Sequence, residues 1–309
     1  MKKLVVTIPA YNEAETIGHV ITSIPRSIEG ISKVEVLVLN DGSTDDTIEV
    51  AKKAGADYIV SHKQNLGLAK TFDDALTEAL KRKADIIVNT DADGQYDQSE
   101  ISQLVQPILE EKADMVIGDR QVKKLDWMTS TKKYGNIVGS AVVRWLTGIN
   151  VNDASSGFRA MSAHAARKFN LVSGHTYTHD TIVQAAHKDI TIVEVPITFS
   201  KRAVGQSRLI TNVFTHINKS LATIVRSILM YRAFAVMTWI GALLLVTGFL
   251  LSIRYLWFFY HGSGAGHVQS LLLAAVVVIV GVNTIFLGVL ADLISHNRKI
   301  LEDIYERLP

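Results

Sequence analysis

Two stretches toward the C-terminal end, Ala233 to Ile253 and Ser270 to Ala291, contain no charged residue. Each is close to the ~20 apolar residues that carry a helix across a ~30 Å hydrocarbon core. The sequence therefore predicts two membrane spans, at about 233–257 and 270–292. A helical hairpin buried in a large soluble core is the alternative, but runs this long without charge are uncommon there. The connection "HGSGAGHVQ" has neither Lys nor Arg, whereas Arg226 and Arg232 precede the first run and Arg298, Lys299 and Arg307 follow the second. By the positive-inside rule both termini, and everything before the first span, are expected on the cytoplasmic side. Arg254, Trp257 and Tyr260 fall at the far end of the first span, where a snorkelling cation and amphipathic rings belong.

The remainder is long enough for one sizeable soluble domain: the chain has 309 residues, net charge +2 and 48% hydrophobic residues. So even a charge balance argues against a nucleic-acid binder. The chain lacks cysteine, which excludes disulfides, thiolate metal sites and a Cys nucleophile, so any metal must be held by oxygen or imidazole. At the N-terminus, "MKKLVVTIPAYNEAE" places Glu13 and Glu15 directly after the apolar run with no small-residue cleavage site. It is expected to be a first strand rather than a removed signal peptide.

From residue 1 to about 200, short apolar runs ("LVVTI", "VEVLVL", "DYIVS", "DIIVN", "DMVIG") alternate with helical patterns such as Glu13 to Ser23, Thr44 to Ala54 and Gly67 to Arg82. This predicts an α/β domain with a mostly parallel sheet covered on both faces. Ligands of such sheets bind beyond the carboxyl ends of the strands. "PAYNE", "NDGSTDD" and "NTDADGQ" follow the first, second and fourth runs and can line one crevice. Three parts are expected: residues 1–204, an amphipathic juxtamembrane stretch 205–232, and a membrane domain 233–309 ending in a short tail. In the juxtamembrane stretch Leu209, Ile210, Val213, Phe214, Ile217, Leu221, Ile224, Val225 and Ile228 recur at helical spacing. That stripe fits one or two interfacial helices, and equally fits packing on the soluble domain or on a sister subunit.

Asp91 and Asp93 flank one residue at a strand end, where repulsion between their charges calls for a neutralising partner. A divalent cation such as Mg²⁺ or Mn²⁺ would supply it, since hard ions take carboxylate oxygens and leave positions open for phosphate. Gln95 could add a carbonyl ligand or a hydrogen bond. Asp41, at a strand tip, could accept bonds from a base N–H or a ribose hydroxyl. Ser43 or Thr44 could cap the following helix, and Asp45 and Asp46 read as first-turn acids that stabilise it.

Taken together, "PAYNE" (9–13), "DGSTD" (41–45), "NLG" (65–67), "DADGQ" (91–95), "SGFR" (156–159) and "RAVGQSR" (202–208) resemble family 2 glycosyltransferases. Within that family the chain is similar to the polyprenyl-phosphate enzymes, membrane pair included. The resemblance implies a GT-A catalytic domain, with Rossmann-like mostly parallel sheet. It implies that Pro9, Tyr11, Glu13, Asp41 and Asp91 bind the nucleotide, that Asp91, Asp93 and Gln95 serve the metal and diphosphate, and that Arg202 and Ser207 cover the donor phosphates. Arg120 matches a residue that helps to hold the acceptor phosphate. Lys132 and Lys133 stand where relatives usually carry a further Arg, so bidentate geometry is in question there.

The implied reaction is inverting transfer of a sugar from a nucleotide-sugar, a UDP-sugar favoured and GDP-mannose possible, to polyprenyl phosphate at the cytoplasmic membrane face. No strong general base is needed, because the second pKa of a phosphate monoester is about 6. Asp180 in "THDT" could orient the acceptor, or His179 and Asp180 could simply begin a helix. Arg226 and Arg232 could attract the lipid head group or serve topology alone. A homo-oligomer, a tetramer among the options, is the expected assembly. A processive polysaccharide synthase is the alternative, weakened because "AVVRW" (141–145) has Ala141 where those enzymes carry Gln. A sugar nucleotidyltransferase lacks support for want of a Gly-rich first loop. A catalytically silent scaffold of the same fold would not need Asp91, Asp93 and Arg202.

Overall fold

The structure is a computed structural model that describes residues 2–170, 177–202 and 233–307. The chain divides into two units, Met1–Thr223 and Ile224–Pro309. In the first, β1 (Lys2–Ala10), α1 (Ile17–Ser23), β2 (Ile31–Asn40), α2 (Thr47–Lys53), β3 (Tyr58–Ser61), α3 (Leu68–Lys81) and β4 (Ile86–Asn89) follow one another as strand and helix. Then come α4 (Ile101–Leu109), β5 (Met115–Asp119), α5 (Ser130–Thr147), β6 (Arg159–Ser162), α6 (Ala163–Lys168), α7 (Tyr177–His187) and β7 (Ile192–Pro196). The seven strands form one sheet in the order β3-β2-β1-β4-β6-β5-β7. β6 is antiparallel to β4 and β5, while the other pairings are parallel.

Side chains on successive strand residues face opposite ways, and the two apolar layers follow from that alternation. Leu4, Val6 and Ile8 of β1 pack with Ile17 and Ile21 of α1 and with Ile101, Leu104 and Val105 of α4. Val5, Leu37 and Ile87 face the other layer, where Phe72, Leu76 and Ala79 of α3 and Ile182 of α7 cover them. The order reverses beside β1, with β2 on one side and β4 on the other. The carboxyl ends of β1 and β4 therefore flank a switch point, where a sheet of this kind opens a crevice.

All five strands read from sequence are present, and β6 and β7 add to them. β6, "RAMS", carries a fully buried Arg159 and lacks the apolar alternation that marks a strand. α1 starts at Ile17 rather than Glu13, because Asn12 turns the chain at φ +54° and residues 13–16 form a turn. α5 stops at Gly148, which takes φ +75° and donates its N–H to Arg144 O at 2.8 Å.

In the second unit α8 (Ala233–Tyr260) and α9 (Val268–Arg307) form a hairpin. Both are long and apolar enough to cross a membrane. α9 does not end near 292 as expected but runs on through the charged "SHNRKILEDIYER", which holds no Gly or Pro to stop it. Trp239, Leu243, Phe286 and Ile294 stand exposed, an apolar surface that hydrocarbon would satisfy and water would not. Between the helices glycine permits backbone contact: a Cβ on Gly241 would lie 2.8 Å from Gly281 O, and one on Gly281 would lie 3.1 Å from Gly241 O. Small residues let apolar helices approach where no hydrophobic force drives them together. Gly281→Leu is expected to destabilise the hairpin by about 1–3 kcal/mol through overpacking, read as a lower thermal midpoint of the detergent-solubilised protein. An unchanged midpoint would show that the contact is dispensable.

Candidate functional site

Side chains and backbone staple the three polar turns together at the carboxyl ends of β1, β2 and β4. Asn12 N donates to Ser43 Oγ at 2.9 Å and Asn12 Oδ1 accepts Thr44 N at 2.7 Å. Glu13 N donates to Thr47 Oγ1 at 2.9 Å, and Thr16 Oγ1 donates to Ala92 O at 2.7 Å. Ser43 and Thr44 thus bind the first turn instead of capping α2. Asp45 precedes that helix: its Oδ1 accepts Thr47 Oγ1 and Thr47 N, the latter at 3.1 Å, and Oδ2 accepts Ala14 N at 3.3 Å, bonds that hold its carboxyl below the usual range despite burial, the Thr47 hydroxyl foremost.

Around these turns Glu13, Asp91, Asp93, Arg120 and Arg202 form one electrostatic cluster. Arg202 Nη2 bonds both carboxylate oxygens of Glu13 at 2.5 Å. Burial, and then the neighbouring Asp93 charge, push Asp91 up to about 7 against the pull of Arg120 and Arg202. Asp93 is raised too, chiefly by burial. Asp91 accepts no hydrogen bond from the described residues, and Gly157 leaves its carboxylate room: a Cβ there would sit 3.0 Å from both Asp91 oxygens and from Tyr177 Oη.

Two close acids short of hydrogen-bond donors fit a divalent cation. No group of three or more His, Asp or Glu side chains able to hold an ion occurs among the described residues. An ion at Asp91 and Asp93 would therefore draw its other ligands from phosphate and water, as Mg²⁺ and Mn²⁺ commonly do. Gln95 takes the hydrogen-bonding option: its Nε2 donates to Ser200 O at 2.9 Å and its backbone O accepts Ser200 N at 2.8 Å. With the Tyr96–Phe199 bridge this fastens residues 199–200 to the acidic turn, two residues before Arg202.

Asp41 is buried, and each of its oxygens is engaged. Oδ1 accepts Leu66 N at 2.8 Å and meets His62 Nδ1 at 2.8 Å, while Oδ2 accepts Gly67 N at 2.9 Å. His62 Nε2 meets Asp74 Oδ2 at 3.2 Å. Pro9 lies within β1, paired with Leu39, and Tyr11 is 37% exposed at that strand's end. Arg120 forms a two-pronged pair with the fully buried Asp153, Nε to Oδ2 at 2.6 Å and Nη2 to Oδ1 at 2.8 Å, and Nη2 also donates to Ser155 Oγ at 2.7 Å. Lys132 and Lys133 open α5. Asp180 lies buried in the first turn of α7 and accepts Gln184 Nε2 at 3.2 Å. Beside it, burial and the Arg159 charge bring His179 down to about 4, so the ring is neutral. Ser207 and the expected juxtamembrane helices lie outside the described residues.

Sequence reasoning missed the support beneath the acids. Arg159 has no carboxylate among its hydrogen-bond partners; its guanidinium donates to Ser156 O, Ala154 O and Thr178 O at 2.7–2.8 Å and to Thr181 Oγ1 at 2.7 Å. It ties the loop before β6 to α7, and burial lowers its pKa to about 10. Asn89 Nδ2 donates to Gly157 O at 2.9 Å and to Tyr177 Oη at 3.1 Å, Tyr96 Oη accepts Gly157 N at 3.0 Å, and Tyr177 stacks on Phe72. The signal was an Arg inside the short run "SGFRAMS", where a charge has no place unless its donors are fully used.

A mostly parallel sheet with a switch point, acids and arginines at its carboxyl edge, is an α/β architecture of the glycosyltransferase A type. The chain belongs to Glycosyl transferase family 2, whose pattern it matches over residues 5–169, and it is a glycosyltransferase. It is 34% identical over 69% of its length to an uncharacterized protein of Methanocaldococcus jannaschii, covering 87% of that chain. It is 31% identical over 67% of its length to undecaprenyl-phosphate mannosyltransferase of Micrococcus luteus, again covering 87% of it. In fold it resembles glucosyl-3-phosphoglycerate synthase of Mycobacterium tuberculosis, solved with Mn²⁺ and UDP, at TM-score 0.54 and 22% identity over 74% of this chain and 79% of the other.

Two outcomes follow from this geometry. Arg159→Met should cost about 3 kcal/mol or more, because three buried carbonyls lose their donor; urea denaturation measures it, and a loss under ~1 kcal/mol would deny Arg159 that role. Asp91 is pushed up to about 7 from the ordinary carboxylate range, so the fold binds the extra proton and stability falls as pH rises through that interval. In chelator, Asp91→Asn should therefore melt higher than wild type at pH 8 and nearly alike at pH 4. Equal melting at both pH values would refute the penalty on a charged Asp91.

Proposed function

We propose that the protein transfers a sugar, with inversion, from a nucleotide-sugar to polyprenyl phosphate at the cytoplasmic membrane face, a UDP-sugar being the favoured donor. The observation that carries this reading is the cluster of Glu13, Asp91, Asp93, Arg120 and Arg202 beside the switch point. The lipid acceptor is supported by relatives at about this identity, among them the mannosyltransferase above, and by two helices fit to cross a bilayer. Such anchoring brings a soluble site to a head group that cannot leave the membrane surface.

In this reading Asp91 and Asp93 hold Mg²⁺ or Mn²⁺, which when bound neutralises charge on the leaving nucleoside diphosphate. Arg202, one face engaged by Glu13, lies where a second positive charge can meet the same phosphates, with Ser207 assigned to that role as well. Pro9, Tyr11, Glu13, Asp41 and Asp91 form the nucleotide pocket. Asp41 is preset by Leu66 N, Gly67 N and His62, so it approaches a ligand already oriented. Arg120, held rigid by Asp153, takes the acceptor phosphate with Lys132 and Lys133. That phosphate arrives largely ionised and attacks the anomeric carbon without surrendering a proton. Asp180 would orient the acceptor.

Asp93→Asn should lower transfer to polyprenyl phosphate by about 100-fold or more while the protein stays folded. Mn²⁺ should raise the thermal midpoint of wild type and not of the variant. Full activity of the variant, or an equal Mn²⁺ effect on both proteins, would dismiss the metal assignment. A screen of radiolabelled nucleotide-sugars against polyprenyl phosphate tests the reaction itself, and turnover on water-soluble acceptors alone would redirect it.

A further inference from the structure

The outer face of α5 has no role in the chemistry above. Tyr134, Val138, Ala141 and Trp145 follow one another at spacings of four, three and four, which puts them within an arc of about 60° on one side of the helix. Tyr134 is 69%, Val138 58% and Trp145 61% exposed, and Ala141 is exposed as well. Burial falls on the opposite side, at Ser140, Val143 and Leu146. The stripe is long, apolar and ringed, where a water-facing helix would carry charge.

Its surroundings are one-sided in charge. From Gln121 to Gly148 the chain carries Lys123, Lys124, Lys132, Lys133 and Arg144 against Asp126 alone. A cavity of about 370 Å³ is lined by Lys123, Lys124 and Arg144 with Gln121, Asn136 and Asn152, and Asp119 is an acid in that lining. Aromatic rings with a polar edge and an aliphatic centre, in a segment whose charges are mostly basic, match the headgroup boundary of an anionic bilayer.

We propose that the α5 face from Tyr134 to Trp145 rests on the surface of an anionic lipid bilayer, with the neighbouring basic cavity facing phospholipid head groups. This rests on the reading of α8 and α9 as membrane spans. It gives the first unit a second lipid contact far from the spans in sequence, on the helix whose first turn carries Lys132 and Lys133.

The chain contains no cysteine, so a single introduced thiol can be spin-labelled without background. The full-length protein would be reconstituted in bilayers of phosphatidylcholine with about 30% phosphatidylglycerol, an anionic fraction chosen to give a negative surface. Labels would be placed at Val138→Cys and, as the span control, at Leu243→Cys on α8. Both labels should relax several-fold faster with oxygen than with a water-soluble nickel chelate. The Val138 label alone should shift toward the chelate when phosphatidylcholine replaces the anionic lipid. A Leu243 label in lipid with a Val138 label open to the chelate would overturn the docking and leave the spans intact. A Val138 label shielded from both relaxants would overturn it too, showing a protein cover, either the chain between 203 and 232 or a second copy. A Leu243 label in water would remove the span reading, and the docking with it.

Discussion

Two carboxylates, Asp91 and Asp93, held in a buried place set the terms for the carboxyl edge of this sheet. Both carboxylates sit at the end of β4, beside the switch point, in surroundings that disfavour charge. Glu13 adds a further negative charge, and the other groups around the pair supply positive potential or fix position. Arg120 and Arg202 oppose the acids electrostatically, Gln95 and Ser200 hold the segment that delivers Arg202, and Thr16 ties the acidic turn to the turn after β1. A close acidic pair in such a place is what the proposed divalent cation would neutralise.

The arginines divide the labour in a way their charges alone do not reveal. Arg120 faces a buried carboxylate, and with Asp153 forms a rigid unit whose orientation is set before any ligand arrives. Arg202 faces Glu13 at a partly exposed position and is held by one pair. Arg159 is spent wholly on carbonyls and one hydroxyl and acts as a structural tie. Sequence position distinguishes none of these roles; burial and partner identity do.

Much of the plan was legible in the chain because it rests on period and punctuation. Runs of Val, Ile and Leu located β1 to β5, and the acids after them located the crevice edge. Two uncharged stretches located α8 and α9. What stayed hidden depended on tertiary contacts. β6 is short and begins with an arginine, so no alternation announces it. The bond from Ala14 N to Asp45 and the engagement of Gln95 by Ser200 join residues 30 or more positions apart. The strand-tip place of Asp41 is plain in the sequence, whereas its bonds to the loop from His62 to Gly67 are not.

The glycine contacts of the C-terminal hairpin carry a consequence for traffic. Where Gly241 and Gly281 bring two backbones together, a lone pair of helices encloses no lumen. Such a hairpin can moor an enzyme but gives a hydrated sugar no route through it.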